Sequence, residues 1–110
     1  MHPAHRAPDP TAATALAVAA AVSAHPGVAR LDGGPWGTVA SHLPGRARVD
    51  GVRLGAGTEP VEIAVVARLG VPLPQLADEL AAAVRGVLGP VPVDVTFSDV
   101  VAAVTAAPRA

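Results

Sequence analysis

The chain has 110 residues and a mass of 10.8 kDa, the size of one domain, which leaves no room for a separate cofactor lobe. Hydrophobic residues make up 51% and charged residues 15%, with mean hydropathy +0.45, so a charge-rich disordered chain is excluded and a core can form. Eight basic residues, all of them arginine, stand against nine acidic ones for a net charge of −1, too little for general nucleic-acid binding, and the lack of cysteine excludes disulfides, thiolate metal sites and cysteine nucleophiles.

Residues 1–10 carry three prolines, two histidines and charges of both signs, and read as a disordered lead-in. From Thr11 to Ala24 an Ala-rich run without a breaker predicts a helix, capped by Thr11 and stopped by His25-Pro26-Gly27. Its Leu16, Val18 and Val22 spread around the axis, so the helix is expected to be largely covered, by the rest of the fold or by another chain. The same stretch has a second reading as an export signal, with His2, His5 and Arg6 ahead of an apolar run and Val22-Ser23-Ala24 as a small-residue cleavage site. Asp9, Pro10 and a core of alanine rather than leucine favour the retained helix, and no run approaches the roughly 20 strongly apolar residues of a membrane span.

Val28 to Leu31 predicts a short strand, Asp32 to Gly37 a loop, and Thr38 to Leu43 one helical turn. Val52, Arg53 and Leu54 alternate as a second strand. Val61 to Leu69 is the clearest strand, with Val61, Ile63, Val65, Ala67 and Leu69 on a buried face. Glu62, Ala64, Val66 and Arg68 form a half-polar face that is expected to be open, as in a sheet with helices on one side. Leu73 to Leu88 predicts a helix with Pro74 in its first turn, Arg85 late, Gly89-Pro90 at its end, and a core stripe of Leu73, Leu76, Leu80, Val84, Val87 and Leu88. A last strand alternates through Val91, Val93, Val95 and Phe97, and residues 100–110 read as a tail. The expected architecture is α+β: one domain over residues 11–99, a two-layer sandwich with a small mixed sheet and two helices on one face. Its order is α-β-β-β-α-β, with the strands flanking the second helix parallel.

Chemistry-bearing patterns are few. Gly34-Pro35-Trp36-Gly37 has the bare G-x-x-G spacing of a KH-domain loop, but that loop joins helices and carries basic residues, whereas Pro and Trp fill it here. Trp36, the lone tryptophan, is expected to pack on the core as a lid, with presentation to a partner as the other reading. Arg46, Arg48 and Arg53 are a weak candidate patch for an anionic ligand, with Arg46 and Arg48 on one strand face, against the plainer reading of a charged, aggregation-resistant edge. His2 and His5 fall in the lead-in, His25 abuts a helix stop and His42 has no second ligand at helical spacing, Asp78 and Glu79 diverge on a helix, and nucleophile elbow, dinucleotide loop and P-loop lysine are all missing, so no enzyme, cofactor or metal is read here.

Several strings together resemble the alkaline shock protein family, the envelope stress response proteins of Gram-positive bacteria and actinobacteria. They are Ala24-His25-Pro26-Gly27-Val28, the Gly33-Gly34 turn, Gly51-Val52-Arg53-Leu54 and, above all, Val61 to Gly70 followed by Val71-Pro72-Leu73-Pro74-Gln75-Leu76-Ala77, with Val93-Asp94-Val95-Thr96-Phe97 as the closing strand. The chain departs from that pattern in lacking a strand before the first helix and in having Ala67-Arg68-Leu69 where an acidic-aromatic pair is common. The resemblance implies a non-enzymatic scaffold or interaction protein. Such a protein binds itself or envelope-associated partners at the cytoplasmic face, held peripherally through a partner. Val18, Val22, Val66 and Trp36 are then the candidate contacts. The alternative is a small-ligand or RNA-binding module using Trp36 with Arg46, Arg48 and Arg53.

Overall fold

The structure, a computed structural model, describes residues 10–56 and 58–102. Helix α1 spans Pro10–Ser23 and is followed by strand β1 (Val28–Leu31), the hairpin strands β2 (Ala40–His42) and β3 (Arg48–Asp50), and the two-residue strand β4 (Val52–Arg53). Strand β5 (Val61–Arg68), helix α2 (Leu73–Leu88) and strand β6 (Val93–Val101) complete the chain. The result is an α+β globule in which two helices contact each other and a mostly antiparallel sheet.

Strand β5 is the centre of that sheet. Its β-branched and alanine side chains fit a surface buried on both sides, and it pairs antiparallel with β1 and β4 and parallel with β6. Strands β1 and β4 lie end to end along one edge of β5, with Leu31 opposite Val65 and Val52 opposite Ile63. Ala64 sits at their junction, donating its N–H to the Gly51 carbonyl at 2.9 Å and accepting from the Asp32 N–H at 3.0 Å. The Gly51 N–H in turn donates to the Val39 carbonyl at 2.7 Å, which hangs the hairpin on the same point.

Both helices cover one face of the sheet. Val61, Ile63, Val65 and Ala67 of β5 pack with Ala15, Val18 and Val22 of α1 and with Leu76, Leu80 and Val84 of α2. Each fully buried Leu, Ile or Val contributes on the order of 1.5–3 kcal/mol through apolar area removed from water. Helix α2 ends at Gly89, whose positive φ lets its N–H reach the Arg85 carbonyl at 2.8 Å. The Arg85 Nε then donates to the Val91 carbonyl at 3.0 Å and guides the chain into the parallel register.

Five features differ from the sequence reading. Thr38 to Leu43 holds strand β2 rather than a helical turn, because Ser41 donates its hydroxyl to the Val52 carbonyl at 2.6 Å and fixes an extended segment beside β4. The second strand expected at Val52 to Leu54 is β4, and a further strand, β3, precedes it across Gly51 as the partner of β2, so five strands rather than three lie between the helices. Helix α1 buries one stripe, Ala15, Val18 and Val22, and leaves Leu16 53% exposed, because exposing small alanines costs little. The second face of β5 is not open: Ala64 and Val66 are buried, since the strand is central and Val66 is flanked in register by Arg30 and Asp99. Val100 and Val101 belong to β6 and not to a tail. The lead-in expected over residues 1–10 lies outside the described residues except for Pro10, which is in α1, and so do residues 103–110.

Two glycines give opposite predictions. At Gly51, φ is +84° and an added Cβ would stand 2.7 Å from both the Ala64 carbonyl oxygen and the Leu31 Cβ, so Gly51→Ala lowers stability by about 2 kcal/mol or more. At Gly86, inside α2, an added Cβ meets nothing within 4 Å, and Gly86→Ala raises stability by about 0.5–1 kcal/mol. Urea unfolding followed by circular dichroism measures both; equal shifts in one direction would contradict the junction described here.

Candidate functional site

The loop after β1 is built from its backbone outward. Asp32 accepts the Gly34 N–H on its Oδ2 at 3.1 Å, an Asx turn that starts the reversal. The Gly37 N–H then donates to the Gly34 carbonyl at 3.1 Å, closing a four-residue turn with Pro35 and Trp36 at its corners. Proline at the first corner pre-sets φ for such a turn. The Val39 N–H returns to the Gly33 carbonyl at 3.0 Å, and from below the Arg48 Nη2 donates to the Gly37 carbonyl at 2.7 Å. The loop is therefore fixed at both ends and from the side, and the side chain it holds out is Trp36, 83% exposed. The expectation that Trp36 packs on the core is corrected: the turn's own hydrogen bonds hold the residue away from it.

The three arginines do not converge. Arg48 pairs through its Nε with Asp50 while holding the Gly37 carbonyl. Arg53 lies on β4 opposite Glu62, giving Oε2 two bonds, 2.6 Å from Nη2 and 3.1 Å from Nε. The hydrogen bond and charge of Glu62 raise the Arg53 pKa further above its ordinary value. Arg46 closes a short 3-10 turn, Pro44–Arg46, rather than sharing a strand face with Arg48, and its side chain lies outside the described residues. Of the other expected contacts, Val18 and Val22 are fully buried against α2 and the sheet, and Val66 is 1% exposed, so none of the three presents a docking surface.

Two contacts were not legible from sequence. The His25 Nδ1 accepts the Gly27 N–H at 2.9 Å, which places the proton of the neutral ring on Nε2, 2.6 Å from Oε1 of Glu79. This joins the stop of α1 to the middle of α2. Arg68 turns its Nη1 onto the carbonyls of Pro26 and Val28, at 3.0 and 2.8 Å, and so clamps the same corner from β5. Beside that corner an open apolar cleft of about 500 Å³ runs along Leu69, Val71, Pro72 and Val100. Leu69, expected in the core, is 60% exposed there because the strand ends before it. Among the described residues no group of three His, Asp or Glu side chains could hold a metal ion.

No protein-family model, no curated protein and no solved structure matches the chain.

A pH prediction follows from the α1–α2 contact. Hydrogen bonds from Gln75 first, and then from His25, hold the Glu79 carboxyl below its ordinary value of 4.5. A carboxyl lowered in the folded state adds stability that is complete above the ordinary value and is lost as pH falls through the lowered one. The stability difference between wild type and Glu79→Gln is therefore constant above about pH 5.5 and shrinks as pH falls below about 4.5. Denaturant titrations of both proteins from pH 7 to 3 check this, and a difference that grows on acidification would refute it.

Proposed function

We propose that this chain is a non-enzymatic interaction protein, a small α+β module that acts by engaging a protein surface, a partner's or that of a second copy. The observation that carries the reading is Trp36, the lone tryptophan, held out into solvent by a turn that four hydrogen bonds define. Ordering a loop so completely around an exposed indole removes in advance the entropy that binding would otherwise cost, and tryptophan is the residue most enriched at the centres of binding interfaces. Arg48, which holds the loop through Gly37, is also paired with Asp50, and Arg53 on β4 is paired with Glu62, so both are engaged in holding the fold. That weighs against an anionic ligand or RNA at this surface.

The resemblance of Val61 to Ala77 and Val93 to Phe97 to the alkaline shock family supports the same reading and extends it to a scaffold role in the envelope stress response. We place such a role at the cytoplasmic face of the envelope. No helix among the described residues is long and apolar enough to cross a membrane, so envelope attachment in this proposal runs through a partner.

The test is association of the purified full-length chain, by light scattering across concentration and by the proteins it retains when immobilised, in wild type and Trp36→Ala. Because Trp36 is exposed, the substitution leaves unfolding stability within about 0.5 kcal/mol, while it weakens association about tenfold or more. A wild-type chain that is monomeric throughout and retains the same proteins as Trp36→Ala would end the reading.

A further inference from the structure

We propose that the outer edge of β6 is a strand-addition site for an extended, basic segment of a partner protein. The proposal rests on the interaction reading above and adds to it the place and chemistry of a partner.

The first ground is the backbone. Among the described residues β6 pairs with β5 alone, so its far edge, nine residues and about 30 Å long, carries no strand. In a parallel ladder alternate residues turn both backbone groups to the neighbour and those between turn theirs away. The Pro92 carbonyl accepts the Val61 N–H at 2.9 Å, which sets that phase: Val93, Val95 and Phe97 direct N–H and C=O outward. The register slips by one residue at Ser98, between Phe97 opposite Val65 and Asp99 opposite Val66. Beyond it the Val101 carbonyl takes the Leu69 N–H at 2.9 Å, leaving Val100 outward.

The second ground is burial. Val93, Val95 and Phe97 pack against the core but only in part, because their outer flank has no neighbour among the described residues. A further strand with apolar residues at alternate positions would cover that flank.

The third ground is charge. Natural edge strands are commonly protected by charged side chains, lysine above all, by proline, by bulges or by a covering element; β6 has no lysine or proline in its length, and what it carries beside its one-residue register slip is Asp94 and Asp99, both exposed. The two share a sheet face, since Asp94 aligns with Glu62 and Asp99 with Val66. Among the described residues neither makes an ion pair, and Asp99 accepts the Val100 N–H on its Oδ1 at 2.8 Å. Antiparallel pairing of two β6 strands about Phe97 would set Asp94 of one copy one residue away from Asp99 of the other, and gathering these like charges along one shared edge is unfavourable. An incoming strand with two basic residues four positions apart, about 13 Å along a strand, meets both aspartates at once. The backbone would supply the affinity and the aspartates the selection, as in other cases of strand addition.

The experiment titrates the isotope-labelled full-length chain, followed by its amide resonances, with three blocked nine-residue peptides. One alternates valine with threonine and places two arginines four apart; the second has glutamates for those arginines; the third is the basic peptide N-methylated at alternate residues. The expected result is that the basic peptide shifts the amides of Val93, Val95 and Phe97 and binds at least tenfold more tightly than either of the others. The Asp94→Arg, Asp99→Arg double variant then prefers the acidic peptide, and because both positions are exposed its fold is checked by its unchanged spectrum elsewhere.

Equal binding of basic and acidic peptides overturns the proposal, as does full binding of the N-methylated peptide, which would mean charge attraction without a ladder. Concentration-dependent shifts at these amides in the chain alone overturn it too, since a second copy would then occupy the edge. Trp36→Ala leaves peptide binding unchanged. Absent peptide binding alongside a Trp36-dependent association therefore removes this inference alone, whereas loss of the Trp36-dependent association as well removes the interaction reading with it.

Discussion

Every other strand of the main sheet is hydrogen-bonded to β5. Two short strands share one of its edges, and a shared edge works only if the chain can leave β1, travel through the Trp36 loop and the hairpin, and return to the next register position. The return is made at Gly51, where the backbone turns through positive φ in contact with Ala64, Leu31 and Asp32. That close approach decides where the hairpin hangs, which side of β4 faces Ser41, and the point from which the Trp36 loop projects. A side chain at position 51 would push against β5 itself, so the junction couples the surface features of the molecule to its most buried strand.

Around this centre the protein uses its few polar side chains mostly against its own backbone or against one another. Ser41 caps a carbonyl of β4, Arg68 holds two carbonyls at the turn into β1, Arg85 holds one at the turn into β6, and His25 joins Glu79 across the helices. Apart from the buried Ser41 bond, these contacts lie at or near the surface, where each is worth little by itself. Their common effect is geometric: they fix the loops between elements whose Ala- and Val-rich core supplies modest area. Among the described residues, what remains unengaged is an aromatic knob on a fixed turn and a long strand edge, at which the two proposals are directed.

Much of the architecture was legible in the sequence. β1 has the predicted bounds, α2 has the predicted bounds, and the parallel pairing of β5 and β6 was expected from the strand, helix and strand order. These are the segments whose hydrophobic period is clean. The hairpin was not legible, because Ala40-Ser41-His42 is too short to show a period and is held extended by the distant Val52 carbonyl. The candidate contacts divided by the same logic. Trp36 was recognisable as the one large aromatic in a turn, but Val18, Val22 and Val66 were chosen from faces whose burial depends on what packs there, and all three are interior. Grouping the arginines failed because Gly51 separates Arg48 and Arg53 into strands with different partners.

The sequence by itself determined the two helices, the longest run of strand before the second helix and the alternation that puts odd-numbered residues of β5 into the core. Local spacing and propensity act within a few residues, and they suffice for elements of eight residues or more. Only the tertiary structure decided that Ala64 and Val66 of β5 are buried as well, that Gly51 is the meeting point of three segments, that Trp36 stands in solvent and that the far edge of β6 carries no strand among the described residues. Each of these depends on contacts between residues distant along the chain, and no local pattern encodes which neighbour a strand edge or an indole will find.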